Sequence, residues 1–259
     1  MNNGRLHGRI AVVTGVSRSV GIGAAICQRL AADGADIFFT YWRPYDASMP
    51  WGAEPEYPER LKGELSSLRV RVENLELDLS LPTAPAQLLD AAETALGTPS
   101  ILVNNATHST MTSYSELDAA TLDAHYAVNV RASCLLAVEF ARRFRTGQGG
   151  RIISMTSGQS RGPMPGELAY VATKGAIEAF TLSLAPAVAP LGITVNAVNP
   201  GPVDTGYMTD ELRRILLPKF PFGRMGEPDD AARLVAFLAS DEGAWITGQV
   251  IHSEGGFRD

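Results

Sequence analysis

Tyr170 and Lys174, in the run Ala169-Tyr170-Val171-Ala172-Thr173-Lys174-Gly175, are the residues of this chain best placed for proton chemistry. Four positions apart on a helix, they rise from one face with β-carbons about 5–6 Å apart. A free phenol ionises near pH 10, roughly, and exchanges protons poorly at neutrality. An ammonium fixed beside it favours the phenolate, so the spacing predicts a phenol pKa drawn down toward the working range. Such a group would serve carbonyl and alcohol chemistry. The same spacing is common on helices with one buried and one solvated residue, so other groups must converge on the pair.

The elements that would bring them together are legible. Strand-like apolar runs fall at 10–13, 36–40, 70–77, 101–103, 152–155, 193–198 and 250–251. Between them lie helical patterns such as Ile22/Ile26/Leu30 and Leu234/Phe237/Leu238, with long stretches at 121–144 and 168–189. Continuous apolar strands imply burial on both faces. Strands alternating with helices imply right-handed βαβ units, hence an α/β, doubly wound Rossmann-type parallel sheet of about seven strands covered on both faces. No repeat or linker divides residues 1–259, which read as one domain. Pro186 is expected to bend the second long helix before Gly192. The proline- and aromatic-rich segment 43–60 reads as a surface excursion.

Thr14-Gly15-Val16-Ser17-Arg18-Ser19-Val20-Gly21-Ile22-Gly23 joins the first strand to the first helix. Glycines there allow a tight turn and close approach of phosphate oxygens to a helix N-terminus, which predicts a dinucleotide site. An acid at the end of the second strand would hold the ribose hydroxyls of NAD. That strand ends Thr40-Tyr41-Trp42-Arg43, so Arg43, helped by Arg18, is expected to pair with a 2′-phosphate. The expected cofactor is NADP (NADPH), with NAD the alternative.

Gly149-Gly150-Arg151-Ile152-Ile153-Ser154-Met155-Thr156-Ser157 brings a strand into a hydroxyl-bearing turn thirteen residues before Tyr170. Strand C-termini are where such sheets place their chemistry. With these motifs the chain resembles the short-chain dehydrogenase/reductase family over essentially its whole length. The dispersed matches are Asn104-Asn105-Ala106, Asn129 in Tyr126-Ala127-Val128-Asn129-Val130, Asn199-Pro200-Gly201-Pro202-Val203-Asp204-Thr205, and Ile246-Thr247-Gly248-Gln249.

The resemblance implies a hydride transfer between nicotinamide and a ketone or secondary alcohol. Tyr170 would be the acid or base, Lys174 its pKa partner and a ligand of the nicotinamide ribose, and Ser157 a hydrogen-bond donor to the substrate oxygen. Asn129 would hold a water that links Lys174 to a proton relay. Gly15, Ser17, Arg18, Gly21, Ile22 and Gly23 would hold the pyrophosphate side, with Tyr41 and Arg43 at the adenosine. Asp78 and Leu79 would meet the adenine, while Asn105 and Ala106 would line the crevice. Pro200, Gly201, Val203 and Thr205 would fix the carboxamide. No metal is expected, since His7, His108, His125 and His252 show no ligand spacing; His108, near the expected pocket, reads as structural.

Departures narrow the activity. Five residues separate Gly15 from Gly21, a longer spacing than the family's ordinary motif and similar to its enoyl-reductase branch, as is Phe38-Phe39-Thr40-Tyr41. That branch sets its tyrosine further from its lysine, at a spacing that falls on Glu167 here, so carbonyl reduction is expected instead. Thr107 replaces the glycine usual after Asn-Asn-Ala. The resemblance is nearest to 3-oxoacyl-[acyl-carrier-protein] reductases, with Arg142, Arg143, Arg145 and Arg161 available to an acidic carrier, although Leu191 stands where carrier-binding relatives have a basic residue. The alternatives are a reductase or dehydrogenase of a small ketone, sugar or other secondary alcohol, and a non-catalytic nucleotide-sensing protein. Segment 207–222 is expected to fold over the site. Family members commonly form homotetramers through the helices that begin near Thr121 and Leu168.

Composition sets the outer bounds. A 45% hydrophobic and 19% charged chain is that of an ordinary globular protein. A formal net charge of −6 argues against nucleic acid or an anionic membrane as partner. Cys27 and Cys134 read as free core thiols of a reducing compartment. The polar start, with no apolar leader and no membrane-length run, points to the cytoplasm.

Overall fold

The computed structural model describes residues 4–258; residues 1–3 of the polar start and Asp259 lie outside them. Seven strands form one parallel sheet: β1 (Ile10–Val13), β2 (Asp36–Tyr41), β3 (Val72–Glu76), β4 (Ile101–Asn104), β5 (Gly150–Met155), β6 (Ile193–Asn199) and β7 (Gln249–His252). Their order is β3-β2-β1-β4-β5-β6-β7. The order reverses between β1 and β4, where crossovers leave in opposite directions and open a crevice at the strand C-termini.

The helices are α1 (Ile22–Ala32), α2 (Arg43–Ser48), α3 (Tyr57–Ser66), α4 (Ala84–Leu96), α5 (Ala119–His125), α6 (Ser133–Arg143), α7 (Leu168–Val188), α8 (Asp210–Leu216) and α9 (Pro228–Ala239). Successive strand residues point to opposite faces, and the core divides accordingly. Ala11, Val13, Ile37, Phe39 and Val103 face Ile26, Leu30, Leu61 and Val235 of α1, α3 and α9. Val12, Phe38, Leu102, Ile152 and Val195 face Leu88, Leu136, Phe140 and Ala185 of α4, α6 and α7.

Three expectations change. Stretch 121–144 is not one helix: a π-helical turn, Tyr126–Ala132, separates α5 from α6. Such turns widen the backbone spiral and often sit at functional sites. Segment 43–60 is no loose excursion, because it folds into α2 and the start of α3, and Trp42, Pro44, Tyr45 and Trp51 wall the central cleft. Cys27 is fully buried, whereas Cys134 is only partly so. Pro186 lies within α7 near its end, and a 3₁₀ turn, Ala189–Leu191, then carries the chain to Gly192. Among the described residues no helix is long and apolar enough to cross a membrane.

Leu102 sits in β4 with no exposed surface. Leu102→Ala should lower unfolding stability by about 2–5 kcal/mol in urea titrations, through lost burial and a residual cavity.

Candidate active site

Where pairing between β1 and β4 ends, side chains take over the backbone's hydrogen bonds. The hydroxyl of Thr14 accepts from the amides of Asn105 and Ala106, both at 3.0 Å. The Asn105 amide group donates to the carbonyls of Thr14 (2.9 Å) and Gly15 (3.0 Å). The glycine loop is thereby clamped to the end of β4. A β-carbon on Gly15, whose φ is +74°, would stand 2.5 Å from the Ala106 Cα, and one on Gly23 would stand 2.7 Å from the Asn105 Nδ2. Only glycine allows this approach. Gly21 caps α1 with no side-chain hydrogen bond, so first-turn amides stay available to an anion. These residues fit a dinucleotide pyrophosphate.

A cleft of about 1740 Å³ opens above this junction, large enough for a dinucleotide and a substrate together. Of the residues the sequence singled out, Gly15, Ser17, Arg18, Gly21, Ile22, Gly23, Tyr41, Asp78, Leu79, Asn105, Ala106, Ser157, Tyr170, Gly201, Val203 and Thr205 line it. Lys174 and Asn129 stand behind the wall, 4% and 2% exposed. Pro200 and Arg43 also lie outside the lining. Arg43 instead forms a two-pronged ion pair with Glu76 and stands 5.6 Å over the Tyr41 ring. Glu76 ends β3 in register with Tyr41, an acid beside the second strand that reading the second strand alone overlooks. Arg18 donates to the Thr205 carbonyl at 2.8 Å and lies 4.6 Å over the Trp51 ring.

Tyr170 and Lys174 are brought together, with electrostatics that differ from expectation. Tyr170 is half-buried in the wall of the cleft that Ser157 also lines. Desolvation raises its pKa well above the ordinary phenol, and the neighbouring Ser157 only partly opposes this. The desolvation of the phenol prevails over the expected lowering by Lys174, and burial likewise disfavours the ammonium, bringing Lys174 down to about 8. Its Nζ lies 5.4 Å from the Tyr170 ring centroid and donates to the Met155 carbonyl at 2.9 Å.

Asn129, in the π-helical turn, is saturated by protein. Its Oδ1 accepts from the His108 amide (2.7 Å) and the Thr107 hydroxyl (3.2 Å). Its Nδ2 donates to the His108 carbonyl (2.9 Å) and the Thr173 hydroxyl (3.0 Å). Thr107, the residue in the usual glycine's place, thus braces Asn129. The His108 ring enters the cleft lining between Tyr45 (5.4 Å) and His125 (4.7 Å). Burial, and then the neighbouring His125, lower its pKa.

Sequence reasoning missed Tyr45 and Trp51, although the cluster of aromatics among prolines marked their segment. The Tyr45 hydroxyl bonds both the amide and the carbonyl of Ser109, each at 3.2 Å. Glu254, also missed, is 7% exposed and accepts from Asn199 (2.9 Å) and Arg161 (3.2 Å). Tyr207, Leu212 and Leu216 of segment 207–222 do line the cleft.

A family model described as enoyl-(acyl carrier protein) reductase matches residues 15–258. The uncharacterized oxidoreductase YjdA of Bacillus subtilis is 56% identical over 251 residues, 96% of each chain. A short-chain dehydrogenase from Burkholderia cenocepacia, solved in complex with NADP, is 36% identical with a TM-score of 0.87, covering 97% of this chain and 98% of that one. The chain belongs to the short-chain dehydrogenase/reductase family. As a member of that family it is a nicotinamide-dependent oxidoreductase. Another short-chain relative, the NADPH-dependent aldehyde reductase-like protein, chloroplastic, of Arabidopsis thaliana, is 38% identical over 260 residues, 97% of this chain and 95% of that one.

Burial of the Lys174 charge has a measurable cost. A lysine depressed from 10.5 to about 8 binds fewer protons folded than unfolded between those values, so stability rises with pH across that window. Lys174→Met should therefore stabilise the fold by on the order of 1–2 kcal/mol at pH 7, after the Met155 carbonyl loses its donor. Urea titrations at pH 7 and pH 9.5 should show that advantage shrinking at the higher pH, while activity is lost at both.

Proposed function

We propose that this short-chain reductase uses NADPH to reduce a small-molecule ketone or aldehyde, with the reverse oxidation of a secondary or primary alcohol available at higher pH. The observation that carries it is that Tyr170 and Ser157 line the same cleft as the glycine loop, with the Lys174 Nζ 5.4 Å from the Tyr170 ring centroid. When bound, the nicotinamide supplies the hydride. Tyr170 gives its phenolic proton to the carbonyl oxygen as negative charge develops there, and the Ser157 hydroxyl steadies that charge. A phenol whose pKa is raised stays protonated through neutrality, which suits reduction. Lys174, protonated below about pH 8, holds positive charge behind the phenolate and would meet the nicotinamide ribose. Asp78 and Leu79 would face the adenine, and Pro200, Gly201, Val203 and Thr205 the carboxamide. Asn129 anchors Thr107 and His108, and its role in a proton relay is part of this reading.

Carbonyl rather than enoyl reduction is supported by Glu167, which occupies the position where the enoyl-reductase branch has its tyrosine. A free substrate is favoured over a carrier-bound one by the state of the basic residues. Arg143 is held by Asp90 (2.6 Å), Glu139 (2.8 Å) and Glu93 (3.2 Å). Arg142 pairs with Glu139, Arg161 with Glu254, and Arg145 turns to backbone carbonyls. A homotetramer is part of the proposal, supported by Leu122, Tyr126 and Leu182 exposed along α5, the π-helical turn and α7. NADPH is preferred because Arg43 neutralises Glu76, the carboxylate that would otherwise repel a 2′-phosphate.

A ketone and aldehyde panel followed by NADPH absorbance tests the assignment. Tyr170→Phe should lower kcat by about a thousandfold or more while NADPH affinity changes little; near-normal turnover would discard the mechanism, and binding without turnover by the wild type would favour a nucleotide sensor. Wild-type kcat/KM should favour NADPH over NADH, and Arg43→Ala should erode that preference about tenfold. Equal use of NADH by the wild type would overturn the cofactor assignment.

A further inference from the structure

Four acids line the cleft: Asp46, Asp78, Glu167 and Glu254. Three are engaged. Asp46 accepts from the Trp51 indole at 3.1 Å, Asp78 from the Ser80 amide at 2.8 Å, and Glu254 from Asn199 and Arg161. Glu167 differs: among the described residues its carboxyl has no hydrogen-bond or ion-pair partner. It caps α7, yet makes no side-chain capping bond, so the ordinary use of an acid at a helix start does not account for it.

The backbone holds this residue in place. The Thr112 amide donates to the Gly166 carbonyl at 2.6 Å, and the Leu168 amide donates to the Thr112 carbonyl at 3.1 Å. These bonds form a short parallel bridge between Thr112 and Glu167. Three residues ahead of Tyr170, Glu167 shares the face of the helix start that carries the proton donor. Burial raises its pKa, and its charge in turn raises the phenols of Tyr170 and Tyr207. A half-buried carboxyl with no protein partner is left to water and to whatever ligand enters the cleft in its place.

The ligand's chemistry follows from the neighbours. Arg18 and Arg258, neither in an ion pair among the described residues, line the same cleft and disfavour a cationic substrate. Glu167 itself disfavours an anionic one. A neutral hydrogen-bond donor satisfies both. We propose that Glu167 is a specificity-determining residue that accepts a hydrogen bond from a hydroxyl carried next to the reacting carbonyl, so that the substrates are hydroxylated ketones or aldehydes. This rests on the carbonyl-reductase reading and names its substrate class.

The matched pair 2-butanone and 3-hydroxy-2-butanone, followed by NADPH consumption, tests it. Wild-type kcat/KM should favour the hydroxyketone by about tenfold or more, the discrimination expected where a cleft-facing acceptor loses its water to the substrate. Glu167→Leu should bring that ratio close to one, mainly through a higher KM for the hydroxyketone. Glu167→Gln, which keeps an acceptor oxygen, should fall between, and it decides the matter if the leucine variant does not fold. A wild-type ratio near one, or a ratio unchanged in the variants, overturns the role of Glu167 and leaves carbonyl reduction standing. Failure of the wild type to reduce any plain or hydroxylated ketone overturns the carbonyl-reductase reading, and this inference with it.

Discussion

Everything at the centre of this molecule depends on satisfying backbone groups where β1 and β4 stop pairing. A parallel sheet that reverses its strand order must leave a gap, and the amides and carbonyls facing it cannot be abandoned in the interior. Thr14 and Asn105 close that account with four side-chain hydrogen bonds. The glycine loop is drawn against Ala106 as a consequence, and the cleft takes its floor from that contact.

The same device recurs outward from the junction. Asn129 treats the His108 backbone as a strand partner would, bonding both its amide and its carbonyl, while the Tyr45 hydroxyl does so for Ser109. Asn199 bonds the Gly201 amide at 2.9 Å and reaches Glu254, shaping the turn after β6. Side-chain amides and hydroxyls therefore stand in for a ladder along the rim of the sheet. Rigid presentation of the cleft-facing groups follows from these substitutions.

The strand and helix pattern was legible because parallel strands buried on both faces read as unbroken apolar runs, and observed boundaries shift by only a few residues. Ser157, the glycine loop, Asp78 and Thr205 were legible as cleft residues because they follow strand ends, and Tyr170 because of its spacing from Lys174 on α7. The π-helical turn was not, since Tyr126–Ala132 has ordinary helical periodicity and its widening answers to the packing of Asn129 against His108 and Thr173. Nor was the wall formed by α2: prolines and aromatics announce an irregular segment, but only the Tyr45 contact with Ser109 and the Arg18 contact with Trp51 turn it toward the cleft.

The sequence by itself determined the sheet, the glycine turn after β1 and the helical spacing of Tyr170 and Lys174, because periodicity and spacing act over a few residues at a time. Tertiary structure decided what state those groups are in. Burial, which no local spacing encodes, drives Tyr170 upward and Lys174 downward together. The fold also brings Glu76 across from β3 to Arg43, pairs Arg142, Arg143 and Arg161 with acids, and leaves Glu167 at the cleft with no protein partner among the described residues. Long-range desolvation and pairing set the charges, and those depend on neighbours that meet only in the folded chain.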